Sequence, residues 1–334
     1  MVCKFNLIAL GNLLNRGTCV AASPPANAAA HASGHTWWFF APAVALFTLL
    51  AALYFGLAVA RVRLRLARVL SSGTIGPLVP PAVLLVAVAL YCQVSGLSLP
   101  SPLFVGRGAE TRSVDGLAIY AAYLFLPVLV ALPRTRAPLP ALLAAAALWL
   151  PLQFRLLPPV LLPASADGSD VSRLLGLVNG LCLFLVTRPI ARVGFTFMLS
   201  ARDARRACLA FAIFATVALP LGLATRFLAW HPGVNAVTLL ALPLGIYLST
   251  AIPEEFLFRG VIQNALARRV PPNAALAAAS VIFGLSHLPD WRYALLATFA
   301  GVAYGWVYSK TGKITASAIT HTLVDWVWVL LLRA

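Results

Sequence analysis

The chain has 334 residues, of which 61% are hydrophobic and only 10% charged. Ordinary soluble domains are roughly a quarter charged, so the composition excludes that class and predicts an integral membrane protein. The net charge of +16 does not mark a nucleic-acid partner: the basic residues lie in short clusters between apolar runs, as they do at cytoplasmic helix ends.

Residues 1–36, ending in "AASPPANAAAHASGHT", read as a disordered or signal-like tail. About ten apolar segments follow, near 37–60, 77–97, 116–133, 139–153, 174–187, 207–225, 236–267, 272–288, 293–309 and 314–332. A full span takes about 20 residues, and 139–153 and 174–187 fall short of it. The expectation is therefore an all-α, polytopic transmembrane helix bundle with about 8–10 membrane helices. The segments lack the polar alternation of a transmembrane β-barrel. The basic clusters "RVRLRLAR" (61–68), "RTR" (134–136), "RDARR" (202–206), "RR" (268–269) and "KTGK" (310–313) follow every second segment. They read as helix ends on one cytoplasmic face of a multi-pass protein, with the N-terminal tail on the other side.

The cysteines, Cys3, Cys19, Cys92, Cys182 and Cys208, are scattered and form no C-x-x-C pair, so neither a disulfide framework nor a cysteine metal site is expected. "GVAYG" (301–305) is a G-x-x-x-G, a close-packing face between membrane helices.

Most acidic residues and three of the five histidines fall in loops, helix ends or the tail. The exceptions are Glu254, Glu255, His287, His321 and Asp325, and Arg259 joins them. An ionisable group in a membrane helix costs at least about 2.5 kcal/mol, so such residues usually mark function. At about 1.5 Å rise per residue, Glu254 and His287 lie at similar depth on neighbouring helices, with His321 shallower. Glu255 and Arg259 are spaced i, i+4 and can pair; so are His321 and Asp325. Glu254 points about 100° away from Glu255 and is free to face another partner. All six residues fall in 236–334, which reads as the functional core. Residues 37–235 read as N-terminal membrane helices of unassigned role.

At these residues the sequence resembles the CAAX protease and bacteriocin-processing family of intramembrane endopeptidases, which includes the type II CAAX prenyl endopeptidases and abortive-infection-type membrane proteins. The E-E-x-x-x-R motif matches Glu254, Glu255 and Arg259. The F-x-x-x-H motif matches Phe283 and His287. The histidine followed four residues on by Asn or Asp matches His321 and Asp325. The prenyl endopeptidases carry Asn at the last position; the Asp325 carboxylate cannot donate a hydrogen bond unless protonated, which points it toward orienting His321 or binding a metal.

The resemblance implies an enzyme that hydrolyses a peptide bond in a membrane-associated protein or peptide within the lipid bilayer. In it Glu254 and His287 activate water, His321 stabilises the oxyanion, Asp325 assists, and Glu255, Arg259 and Phe283 support the site. Zinc is an open cofactor, with Glu254, His287 and His321 as its donors, although no H-E-x-x-H is present. The implied location is a bacterial inner membrane. Two alternatives use the same buried cluster: a non-enzymatic membrane scaffold and a proton-coupled transporter.

Overall fold

The computed structural model describes residues 41–70, 75–96, 99, 113–133, 137–162, 169–230 and 236–333. The tail 1–36 and the 134–136 cluster lie outside the described residues. The chain is an all-α bundle. Its helices are α1 (Ala41–Ala58), α2 (Ala60–Leu70), α3 (Val79–Ser95), α4 (Ser113–Ala131), α5 (Leu139–Gln153), α6 (Ser172–Cys182) and α7 (Ala201–Ala224). Then come α8 (Ala236–Ile246), α9 (Ile252–Glu255), α10 (Asn264–Leu266), α11 (Pro272–Leu285), α12 (Trp291–Thr311) and α13 (Ile314–Leu331). Among the described residues three stretches are long and apolar enough to cross a membrane: Ala41–Ala58, Gly76–Ser95 and Ala201–Ala224.

Two of the basic clusters are themselves helical. Residues 61–68 form most of α2, which follows α1 after a single residue. The reason is local: Arg63 Nη1 donates to the carbonyls of Leu57 (2.7 Å) and Phe195 (3.1 Å), so one arginine closes the end of α1 and ties it to the stretch before α7. The other arginines of α2, Arg61, Arg65 and Arg68, stay exposed. The 202–206 cluster opens α7. There Ser200 and Asp203 form a reciprocal capping box, which satisfies the first free N–H groups of the helix. Asp203 also pairs with Lys313 Nζ at 2.8 Å, and Arg206 donates to the Lys310 carbonyl at 2.9 Å. The start of α7 is thereby fastened to the turn between α12 and α13.

The N-terminal helices wrap the C-terminal ones. Tyr54 donates to the Leu248 carbonyl (3.3 Å), and Gln153 Nε2 to the Ser286 carbonyl (2.8 Å). Trp149 meets Phe258 edge-on with centroids 5.5 Å apart, and Phe184 lies 6.3 Å from Phe256. Two short antiparallel ladders supplement the helices. Strand β1 (Leu161–Leu162) pairs with β2 (Ser169–Asp170), and β3 (Ala229–Trp230) pairs with β4 (Leu332–Arg333).

The G-x-x-x-G of α12 lets two helices approach at once. A Cβ on Gly301 would lie 3.0 Å from Ser280 Cα on α11 and 3.3 Å from Arg259 Nη2, and one on Gly305 would lie 2.8 Å from Gln263 Oε1. The missing side chains also bare the backbone. Arg259 Nη2 donates to the Gly301 carbonyl (3.0 Å), and Gln263 Nε2 lies 3.5 Å from the Gly305 carbonyl.

Candidate active site

The segment that carries the two glutamates is not a uniform helix. Between α8 and α9 the chain widens into a π turn at Tyr247–Ala251, and between α9 and α10 into another at Phe256–Gln263. Pro253 supplies a local cause, since it has no N–H with which to continue the i to i−4 ladder. Wide turns of this kind occur often at functional sites. Glu254 and Glu255 therefore sit on a single α turn between two π segments.

Glu255 and Arg259 are completely buried. Burial of either charge alone would be costly, so each must find partners. Arg259 Nη1 lies 3.1 Å from Glu255 Oε1, a close ion pair whose angle falls short of a good hydrogen bond. The guanidinium also lies over the rings of Phe283 (4.7 Å) and Tyr304 (5.2 Å), which favour a cation on their faces. Phe283 thus serves as the floor beneath Arg259. Its ring centroid also lies 5.8 Å from that of His321, with the planes nearly perpendicular, and 4.9 Å from that of His287.

His321 joins the glutamates. Its Nδ1 is 3.0 Å from Glu255 Oε1, and a carboxylate oxygen accepts, so this nitrogen carries the hydrogen. Its Nε2 faces Asp325 Oδ2 at 3.5 Å and Glu254 Oε2 at 3.8 Å. Tyr304 stacks on the imidazole, 4.6 Å between centroids and 13° from parallel. Glu254 is 20% exposed and Asp325 27%, whereas the His321 side chain is only 4% exposed. The open side of the cluster is therefore the Glu254–Asp325 side.

His287 occupies the turn after α11. Its Nδ1 lies 2.8 Å from the Phe283 carbonyl and 3.0 Å from Ser286 Oγ. The carbonyl can only accept, so Nδ1 carries hydrogen and Nε2 holds the lone pair of the neutral ring. Tyr293 meets the ring edge-on at 4.4 Å. The histidine in direct reach of both glutamates is His321, while for His287 Glu254 is the leading nearby charge. The difference arises because α13 packs against α9, while His287 lies beyond the last turn of α11 and is held by that turn's own carbonyl.

Two residues of this cluster carry no signal in the sequence. Ser317 lies one turn before His321 and reaches both Glu255 Oε2 (2.5 Å) and the Tyr304 carbonyl (2.8 Å). Tyr304 lies inside the G-x-x-x-G, where it reads as ordinary packing. A serine or tyrosine in an apolar helix looks like any other until the carboxylate it meets is known.

Zinc is the cofactor the resemblance leaves open, with Glu254, His287 and His321 as its donors. Among the described residues no group of three or more His, Cys, Asp and Glu side chains could hold a metal ion.

Compared with family models, residues 235–327 match Type II CAAX prenyl endopeptidase Rce1-like. The matched stretch runs from just before α8 into α13 and contains Glu254, Glu255, Arg259, Phe283, His287, His321 and Asp325. No curated protein and no solved structure matches the chain.

Proposed function

We propose, from the premise that residues 235–327 carry an Rce1-like domain, that this integral membrane protein is an endopeptidase acting on membrane-associated protein or peptide within the bilayer. The observation that carries the reading is His321, held between Glu254, Glu255 and Asp325 in that domain. Three carboxylates around one buried imidazole are costly in an apolar bundle and are poorly explained as packing.

In this mechanism Glu254 is the general base. It is the more exposed of the two glutamates and free of the Arg259 pair, so it can take a proton from water. His287 presents its Nε2 lone pair and helps orient that water. The water oxygen bonds to the scissile carbonyl carbon, and the carbonyl electrons move to oxygen. His321, as the imidazolium among three carboxylates, carries a hydrogen on Nε2 as well as on Nδ1, and the Nε2 hydrogen between Asp325 and Glu254 is the one that meets the oxyanion. Glu254 then passes its proton to the amide nitrogen as the carbon–nitrogen bond breaks. Asp325 orients the His321 ring, the role its carboxylate suits better than donation. No step of this mechanism runs through zinc. The N-terminal helices act as a wall or gate for substrate, and the protein is multi-pass in a bacterial inner membrane.

The test is mass-spectrometric comparison of membrane-protein fragments from cells carrying the wild-type chain or Glu254→Ala at equal expression. Fragments that vanish with Glu254→Ala support the reading, and identical fragment sets overturn it.

A further inference from the structure

We infer that Ser317 and Tyr304 are positioning residues, which together fix the plane of the His321 ring and the direction of its Nε2. The inference rests on the protease reading for its meaning in catalysis, but its geometric content stands apart from it.

The argument begins with Glu255. Its Oε1 takes both Arg259 Nη1 (3.1 Å) and His321 Nδ1 (3.0 Å). If Oε2 were free, the carboxylate could still turn about its last torsion, which is broad for a glutamate, and His321 would turn with it. Ser317 Oγ removes that freedom by standing 2.5 Å from Oε2. The same hydroxyl lies 2.8 Å from the Tyr304 carbonyl. It has a single hydrogen to give, yet both contacts hold the oxygen in the seam between α12 and α13. Ser317 and His321 are one helical turn apart, so the serine, the carboxylate and the imidazole close a ring along one face of α13.

Tyr304 constrains the remaining motion. The Glu255 contact holds Nδ1 within the imidazole plane but leaves the ring able to roll about the line through that bond. The tyrosine ring, 4.6 Å away and 13° from parallel, blocks the roll from one face. Phe283 meets the imidazole edge-on at 5.8 Å, which adds contact without setting the plane. One in-plane hydrogen bond and one stacked face define the orientation of a flat ring. Nε2 is thereby aimed at the open side of the site, where Asp325 and Glu254 lie.

Packing alone would ask less of these positions. Alanine would fill most of the volume of Ser317, and any apolar side chain of similar size would fill that of Tyr304. The positioning role requires a hydroxyl at 317 and a flat ring at 304, and that difference is measurable.

The experiment uses the full chain in detergent micelles with nitrogen-15 labelled histidine, the His321 signals being assigned by their loss in His321→Gln. Ser317→Ala and Tyr304→Leu are each expected to shift or broaden the His321 ring resonances and to leave those of His287 in place. Ser317→Thr, which retains the hydroxyl, is expected to restore them. His321 resonances that coincide with wild type in both Ser317→Ala and Tyr304→Leu overturn the inference. Cleavage of peptides in membrane vesicles supplies the second arm. Ser317→Ala is expected to lower kcat about tenfold or more, with KM within about twofold, and Ser317→Thr to recover most of the loss. A raised KM with unchanged kcat overturns the positioning role. If the wild-type chain cleaves nothing, the protease reading fails while the resonance test still decides the geometry.

Discussion

At the scale of single residues, the site is a chain of dependencies with Glu255 at its centre. Removing Glu254, His287 or His321 by substitution to alanine is expected to lower cleavage about 100-fold or more, with the protein still inserted, since each loss removes a base, a water-orienting group or an oxyanion donor. Fragment yield at matched expression measures it. Glu255 and Arg259 behave differently because both are buried and each is the other's charge partner. Substituting either alone by glutamine leaves an uncompensated charge, at a cost of about 3–5 kcal/mol, and the double substitution is expected to be more stable than either single one. Thermal unfolding of the four chains in one detergent tests this, and losses that simply add would remove the coupling. The E-E-x-x-x-R spacing made this pair legible in advance. The contact between Glu255 and His321 was not, because it depends on how α13 lies against α9, and no spacing within one helix encodes that. Ser317 was hidden for the same reason.

At the scale of elements, the apolar runs marked most helices because each is too hydrophobic to be anything else. Two features escaped that reading. The arginines of α2 looked like charge at a helix end, yet they form a helix of their own, and Arg63 donates to backbone carbonyls at the end of α1 and in the stretch before α7. The π turns around α9 also escaped, since a proline lowers the odds of a regular ladder without saying how the chain will widen. Helix α12 is the element on which the site leans most. Gly301→Val is expected to lower stability by about 1–3 kcal/mol, because its side chain must displace Ser280 Cα or the Arg259 guanidinium. It should lower cleavage as well, and a melting temperature like the wild type's would show that α11 and α12 can part without loss. The start of α12 is held by Asp290, which accepts from the Arg292 N–H (3.0 Å) and pairs with its guanidinium (2.8 Å). Arg292 beside Asp290 holds its carboxyl down to about 2. A depressed carboxyl contributes stability above its unfolded pKa of about 3.9 and loses it as pH falls toward 2. Amide exchange in the first turn of α12 is therefore expected to be flat from pH 7 to 5, once intrinsic rates are removed, and to rise only below about pH 4. A rise near pH 6 would mean that some other group holds the turn.

At the scale of the whole molecule, β3 and β4 have a consequence for how the protein is divided. Ala229 lies opposite Arg333 and Trp230 opposite Leu332, one pair just ahead of the Rce1-like stretch and the other just after it. Paired strands run about 4.7–4.9 Å apart, so the chain enters and leaves this unit at nearly the same point. Adjoining ends are the arrangement that tolerates splicing and reordering best, although α7 stays fastened to this stretch through Asp203–Lys313 and Arg206–Lys310. A circular permutant with ends near β3 and β4 joined by a short glycine–serine linker and new ends opened at the exposed turn 268–271 should keep the Glu255–His321 contact, read from the same nitrogen-15 histidine resonances. The separation of α9 from α13 along the chain would then be an accident of order, and the Glu255–His321 cluster a property of the stretch's closed outline.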